Sequence, residues 1–295
     1  MSEGTSIYPV GDLSKPADTL IKKISNAVGG IFKPYQIKRV AKAEAEAALI
    51  KAQTEIQVTD LHRRAMHRFV EEEANRQKNI EDITTKALPR LNDKADPSKV
   101  EDDWIVNFFD KCRIISDNEM QELWSRVLAG ESNSPGTYSK RTVNFLSDLD
   151  KGEAEQFMRL CGFVWAIGTN KAPLVYDHKH LIYYEQGINF DVLSHLESIG
   201  LIQFDIGVGE FLFSNVPKKI RALYYGASVT LEMPKDIGNE IRIGNVLFTK
   251  IGQELASICG GKPVDGFMKY VVDKWKSLKY LPEDKPEQSE NMASR

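Results

Sequence analysis

The sequence predicts a mainly α-helical protein that ends in a smaller α+β domain. Three observations predict this fold class. An Ala- and Glu-rich run contains no Gly or Pro between Pro34 and Pro89, apolar residues recur with helical spacing after Trp104, and alternating strand-like patterns begin after Pro173. The first observation predicts an unusually long helix, and the other two predict the compact parts that follow it.

Composition limits the class of protein before any motif is considered. The chain has 295 residues, of which 42% are hydrophobic and 27% charged, and a formal net charge of −3. These values are ordinary for a folded protein of two domains and give no global sign of nucleic-acid binding. Three widely spaced cysteines fit a reducing compartment, and neither a signal peptide nor an apolar run of about 20 residues is present. We therefore expect a cytoplasmic protein.

The N-terminal region predicts a flexible leader over residues 1–14 and an amphipathic helix over residues 15–33. Ser14 before Lys15-Pro16 is a typical helix start, and the stretch from Asp12 to Val40 has a local net charge of +4. The helix packs on the body of the protein in one interpretation. In the alternative, it binds the inner membrane peripherally, as a membrane-directed effector would. The candidate membrane face comprises Ile21, Ile24, Val28, Ile31 and Phe32.

Residues 34–91 are predicted to form a long helical rod. Its first half is rich in Ala, and its second half carries a broken apolar stripe that includes Leu61, Met66 and Phe69. The stripe does not keep a heptad repeat, which argues against a long two-stranded coiled coil. A helical hairpin, or a bundle built between protomers, fits this pattern better, so self-association is predicted.

A polar linker is predicted over residues 92–103, followed by a helical domain over residues 104–170. Within that domain, Ser116 or Asp117 is expected to start a helix that Gly130 ends, and Ser139 or Thr142 is expected to cap the next helix. The turn between them is either a corner that defines the fold or a partner surface. The candidate residues of that surface are Glu119, Glu122, Glu131 and Arg141.

Residues 171–277 combine strand and helix patterns, and residues 278–295 are predicted to be a disordered tail. The order helix, LxxIGLI, strand, hairpin and LFTxxGQEL helix resembles a winged-helix domain, with Gly200 in the turn and Thr249 as the cap of the closing helix. The stretch from Asn189 to Gly209 contains no Lys or Arg. Because a phosphate backbone would be repelled there, we expect contacts with protein rather than with nucleic acid.

No linear signature of catalysis is present, and no catalytic residue or cofactor is predicted. The phosphate-binding P-loop and the GxSxG elbow are both missing. His178 and His180 are weak metal candidates, because on a strand their spacing would put both rings on one face. A nuclease or other hydrolase with a site assembled from distant residues remains an alternative.

Several stretches resemble an uncharacterised bacterial family that is similar to abortive-infection alpha-type phage-defence proteins. They are KPADTLIKKISNAVGGIFKPYQIKRVAKAEAEA, RFVEEEANRQKNIEDI, SDNEMQELWSRVLAGESNSPGTYSKRT, LxxIGLI and LFTKIGQELASIC. The resemblance implies a role in host defence against phage. With the long helix, it leads us to expect a self-associating protein that binds an unidentified protein partner.

Overall fold

The computed structural model describes residues 14–27, 59–207 and 209–281. The chain divides into two units, Met1–Leu149 and Asp150–Arg295, here called unit 1 and unit 2. Within the described residues, unit 1 is helical and unit 2 combines helices with antiparallel strands. The predicted mixed but mainly helical fold class is confirmed.

Unit 1 contains five helices among its described residues. The segments Leu88–Arg90 and Pro97–Lys99 are 3-10 turns. The helices among the described residues are α1 (Lys15–Ala27), α2 (Asp60–Ala87), α3 (Asp102–Cys112), α4 (Asn118–Asn133) and α5 (Lys140–Asp148). α2 packs on α4, and α3 packs on α5. α1 packs on α3 and on the 3-10 turn Pro97–Lys99.

The predicted rod is interrupted at Thr59. This residue has the extended backbone angles φ −58° and ψ 152°, and its side chain accepts a hydrogen bond from the backbone N–H of His62. An extended N-cap starts a helix and cannot lie inside one. The prediction of one continuous helix over residues 34–91 is therefore wrong at Thr59, and residues 34–58 lie outside the described part of the chain.

The predicted linker is an ordered part of unit 1. Pro97 and Val100 are buried, and the Lys23 side chain donates to the carbonyl of Ser98 at 3.0 Å. Lys23 also forms an ion pair with Asp102 at 2.9 Å. The segment thus serves as the packing surface for α1, whose buried residues include Leu20 and Ile24.

Aromatic packing in unit 1 explains why residue 130 is a glycine although it lies inside a helix. α4 continues to Asn133, and a Cβ atom at residue 130 would lie only 2.6 Å from Cε2 of Tyr138. Tyr138 also accepts, through its carbonyl, a hydrogen bond from the Trp104 indole at 2.7 Å. The predicted C-cap at Gly130 is wrong, because the residue provides room for a ring instead. The predicted caps at Asp117 and Ser139 are confirmed.

Unit 2 contains five helices and eight short strands among its described residues. The helices are α6 (Lys151–Cys161), α7 (Leu181–Tyr184), α8 (Phe190–Ser198), α9 (Lys250–Ala256) and α10 (Phe267–Ser277). The strands are β1 (Val164–Ile167), β2 (Asn170–Pro173), β3 (Ile202–Phe204), β4 (Phe211–Val216), β5 (Lys219–Tyr224), β6 (Ala227–Glu232), β7 (Asn239–Gly244) and β8 (Val246–Phe248).

The strands of unit 2 pair in a nested order. β3 pairs with β8, β4 with β7, and β5 with β6, and every one of these pairs is antiparallel. β5, which belongs to the innermost pair, also pairs with β1, and this gives a sheet of order β2-β1-β5-β6. The region from β3 to β8 is therefore one long excursion of the chain, and α8 and α9 lie at its two ends.

α6 belongs to unit 2 rather than to the predicted helical domain of residues 104–170. Phe157 of α6 meets Phe248 edge to face at 5.7 Å between ring centroids, and Glu153 hydrogen-bonds to His195 at 2.8 Å. The aromatic core of the unit lies nearby, with Trp165 between Trp275 and Tyr224. α6 contributes a face to that core, which explains the division at residue 150.

Residues 278–281, which belong to the predicted disordered tail, are ordered in the structure. Tyr280 is buried, its carbonyl accepts from the N–H of Glu232 at 2.9 Å, and its hydroxyl accepts from the N–H of Arg242 at 3.3 Å. The prediction of disorder is therefore wrong for residues 278–281. The remainder, residues 282–295, lies outside the described residues.

Replacing Gly130 by Ala should destabilise unit 1 by about 1–3 kcal/mol, because the added methyl group overpacks the Tyr138 ring. The measurement is native-state hydrogen exchange of α4 amides in the full chain. Gly152→Ala is the matched control, since a Cβ at that helical position meets no atom within 4 Å. Because Gly152 lies in α6 of unit 2, the control should leave the exchange of α4 amides unchanged. Equal protection in both variants would contradict the assigned role of Gly130.

Candidate partner-binding surface

Three large apolar side chains of α2 are exposed on its N-terminal half. The exposed fraction is 64% for Leu61, 52% for Met66 and 58% for Phe69. Leu61, Ala65 and Phe69 follow one another at steps of four, and Met66 lies beside them on the helix surface. We call these four residues the exposed stripe. Isolated apolar residues are common on protein surfaces, but a row with helical spacing indicates an interaction face.

The exposed stripe lies in line with the face that α2 buries within unit 1. From Phe69 the row continues at steps of three and four through Glu73 and Arg76 to the buried Ile80, Ile83 and Ala87. The C-terminal half of α2 packs that face on α4. One side of α2 is therefore apolar along most of its length, and only its C-terminal part is covered.

The boundary between the covered and uncovered parts is an ion pair. Arg76 lies 2.8 Å from Glu73, three residues earlier on the same helix. Both residues fall on the apolar row and are partly exposed, so the helix surface remains hydrated at this point. The charged pair separates the core of unit 1 from the exposed stripe.

Ion pairs within α2 stabilise its N-terminal half, on which no other element packs among the described residues. Asp60 lies 3.5 Å from Arg64, Arg68 lies 3.3 Å from Glu72, and the Thr59 cap holds the first turn. Each such pair contributes about 0.2–0.5 kcal/mol to a helix. The polar side of the exposed half thus forms ion pairs within the helix, and the apolar side is left exposed.

The exposed half of α2 also has an ordered distribution of charge. After Asp60 in the first turn, its basic residues come first and its acidic residues follow about one turn later. The two groups are Arg63, Arg64 and Arg68, then Glu71, Glu72 and Glu73. An antiparallel copy of the same helix would place the basic group of each chain along the acidic group of the other.

The structure buries one of the four residues of the predicted polar surface. Glu131 is buried, and its carboxylate accepts hydrogen bonds from the N–H groups of Gly136 at 2.6 Å and Tyr138 at 2.8 Å. Glu122 forms an ion pair with Arg90 at 2.6 Å. Glu131 therefore fixes the turn before α5 and is removed from any partner surface, whereas Glu119 and Arg141 remain exposed at the starts of α4 and α5.

The two metal candidates occupy a turn and a helix start rather than a strand. The Asp177 carboxylate accepts from the N–H of Lys179, and His180 caps α7 by accepting from the N–H of Ile182 at 3.2 Å. His178 lies beside the rings of Phe190 and Phe204. The strand prediction for this pair is wrong because the turn at Asp177 ends the extended segment. Among residues 14–27, 59–207 and 209–281, no three His, Cys, Asp or Glu side chains cluster suitably for a metal ion.

The predicted membrane face is partly used inside unit 1. Ile24 is completely buried and Ile21 is half-buried, because α1 packs on α3 and the preceding 3-10 turn. Ile24 is therefore not a membrane contact in this structure. Val28, Ile31 and Phe32 lie outside the described residues. In the part of the chain that the structure describes, no helix has the length and apolar character needed to cross a bilayer.

The sequence contained the apolar row of α2 but did not identify the exposed stripe as a site. Leu61, Met66 and Phe69 have the same spacing signal as Ile80 and Ile83, so periodicity does not tell which of them are covered. The available signal was the charged pair on the row at Glu73 and Arg76. It marks the place where an intramolecular core stops.

The comparisons with known proteins give a family but no activity. Residues 63–272 match DUF2806, a family described as proteins of unknown function. No curated protein and no solved structure matches the chain. The match agrees with the predicted membership of an uncharacterised family and contains no link to abortive infection. Because it extends over more than half of the chain, the protein belongs to the DUF2806 family.

Proposed function

We propose that this protein self-associates through the exposed stripe of α2 and that the assembled form binds a protein partner. The observation that carries the proposal is the continuity between the exposed stripe and the buried face of the same helix. A second copy offers the same apolar side chains in the same arrangement. Two copies can cover both stripes in one self-complementary contact, as twofold dimers do.

The charge order of α2 supports an antiparallel pair. In a parallel pair, the basic group of each helix would lie along the basic group of the other, and the acidic groups would do the same. In an antiparallel pair, opposite charges lie together over distances within the Debye length of about 8–10 Å. We propose that burial of Leu61 and Phe69 supplies affinity, while the charges select the orientation.

Unit 2 is proposed to provide the surface for the protein partner. The turn at Gly200, the nested strands and the Thr249 cap on α9 support a winged-helix-like arrangement. Gly252 supports it further, since a Cβ there would lie 2.0 Å from the carbonyl oxygen of Leu201. The acidic and neutral composition of residues 189–209 favours protein over nucleic acid as the partner.

Host defence is the setting that we propose for this assembly. Its support is the similarity of the stretches SDNEMQELWSRVLAGESNSPGTYSKRT and LFTKIGQELASIC to abortive-infection alpha-type proteins. The test compares phage plating on cells that express the protein with plating on cells that express a variant unable to self-associate. Equal plating on both and on cells without the protein would contradict the defence role. It would leave self-association intact.

Replacing Phe69 by Glu should weaken self-association by about tenfold or more, since a buried aromatic at a contact is a typical hot spot. The measurement is sedimentation velocity of the full chain over a range of concentrations. Far-UV circular dichroism should be unchanged, because the side chain is largely exposed within its own unit.

Ile237→Glu is the matched control for this variant. Ile237 is 84% exposed and lies between β6 and β7, outside α2, so the same change of an exposed apolar residue should leave self-association unaltered. A wild-type chain that stays monomeric at all concentrations would refute the proposal. So would equal weakening in the two variants.

Two charge variants of α2 should associate with each other but not with themselves. One variant makes the Arg and Glu positions between residues 63 and 73 all acidic, and the other makes them all basic. Each alone should associate about tenfold or more weakly because like charges meet, whereas an equimolar mixture should form heterodimers. The substitutions are Arg63→Glu, Arg64→Glu and Arg68→Glu in the first, and Glu71→Arg, Glu72→Arg and Glu73→Arg in the second.

Sedimentation of the mixture, with one variant carrying a fluorescent label, measures the heterodimer. Both variants must first show wild-type helical content, because the substitutions also remove ion pairs within α2. A mixture that sediments as two monomers, while wild type dimerises, would show that α2 is not the contact between copies.

A further inference from the structure

Two cysteines that are distant in sequence meet in unit 2. Cys161 is the last residue of α6, and Cys259 lies in the turn after α9. The turn that carries Cys259 lies against the end of α6, and Cys259 is close enough to the Cys161 thiol to raise its pKa. The Cys259 thiol also lies 3.6 Å from the carbonyl oxygen of Ala256. Neither cysteine is oxidised to a disulfide in the structure.

The surrounding backbone brings the two segments into direct contact. A Cβ atom at Gly261 would lie 2.9 Å from the Cβ of Cys161 and 2.8 Å from the hydroxyl oxygen of Tyr225. Tyr225 in turn donates a hydrogen bond to the carbonyl of Cys161 at 3.1 Å. The absence of a side chain at Gly261 therefore lets the turn that carries Cys259 lie against the end of α6.

The two thiols differ in access to solvent. Cys161 is 2% exposed, whereas Cys259 is half-buried. Burial raises the pKa of the Cys161 thiol well above its usual value, and the neighbouring Cys259 raises it further. A reagent from solution therefore reaches Cys259 first, and Cys161 lies in position to react second.

We propose that Cys161 and Cys259 form a reversible disulfide when the protein meets a small-molecule disulfide. The Cys259 thiolate attacks one sulfur of the reagent, which forms a mixed disulfide and releases one thiolate. The Cys161 thiolate then attacks the Cys259 sulfur and releases the second reagent thiolate. Two protein thiols are oxidised by two electrons, their two protons go to solvent or to the released thiolates, and one reagent disulfide is reduced to two thiols.

The disulfide would join the end of α6 to the turn after α9 and close a loop that contains the whole nested strand region. The closed loop is long, since the cysteines stand at positions 161 and 259. Closing such a loop reduces the freedom of the unfolded chain, so oxidation should stabilise unit 2. This makes unit 2 sensitive to oxidants, and it does not depend on self-association.

The test treats the reduced full chain with oxidised glutathione, then alkylates, denatures and digests it with trypsin. The expected product links the peptide of residues 160–171 to that of residues 251–269, and the count of free thiols falls from three to one. A reducing agent should restore all three. The link should form faster as pH rises, because the raised pKa of Cys161 leaves little thiolate near neutral pH.

Cys112→Ser is the matched control, since it removes the buried cysteine of unit 1 and should leave the link intact. Cys259→Ser should abolish both the link and the rise in the thermal unfolding midpoint on oxidation. Two results would overturn the proposal: glutathione retained on Cys259 with Cys161 still free after denaturation, or three free thiols throughout. The folding of the Cys259→Ser variant is checked by hydrogen exchange under reducing conditions. If its α6 amides exchange as slowly as in the wild type, misfolding does not explain the missing link.

Discussion

The structure of unit 1 depends on the packing of a long helix on a much shorter one. α2 has 28 residues and α4 has 16. At about 1.5 Å per residue their lengths are about 42 and 24 Å. The apolar face of α2 continues past the part that α4 can cover, so part of that face must remain exposed or meet another surface. The exposed stripe follows from this difference in length.

Polar contacts fix the covered half of α2 in register on α4. The Lys86 ammonium donates to the side-chain oxygens of Asn118 at 2.8 Å and Gln121 at 2.6 Å. One turn further, Arg90 pairs with Glu122 at 2.6 Å. These directional contacts prevent α2 from sliding along α4, so the exposed half keeps a fixed orientation. A preorganised helix loses less entropy when it binds a partner.

Local signals in the sequence predict most helix starts, and tertiary contacts explain the failures. Asp117, Ser139 and Thr249 cap helices as predicted, because a short polar side chain satisfies N–H groups in its own first turn. The sequence does not show the role of Gly130, because that role depends on the Tyr138 ring eight residues away. It does not show the helix start at Thr59 either, because the surrounding composition is helical and its periodicity has no break there.

The candidate sites were predictable to different degrees, because the sequence shows local patterns but not the tertiary contacts that decide their role. The apolar row of α2 was visible, but burial decides which part of it is a surface, and burial depends on the length of α4. The contact of Cys161 with Cys259 had no sequence signal at all, because the nested strands bring together residues that are far apart in the chain. Glu131 looked like a surface residue because nothing local shows that its carboxylate binds the backbone of the next turn.

The size of the exposed stripe implies that the proposed self-association is weak, so that the isolated chain dimerises only at high concentration. Leu61, Met66 and Phe69 are about half exposed, so complete burial recovers only part of the roughly 1.5–3 kcal/mol that each side chain can contribute. Six such side chains in a dimer supply several kcal/mol, against an association cost of about 4–15 kcal/mol. The exposed ion pairs add little, since each is worth about 0–1 kcal/mol.

A weak contact of this kind responds to concentration. If a partner with repeated binding sites engages unit 2 of several chains, it raises their local concentration, and the α2 pair then forms without any new contact. Self-association and partner binding would in this way be linked, although they use different units of the chain. The assembled state is then favoured where partners are clustered, which is the behaviour expected of a protein that converts a binding event into assembly.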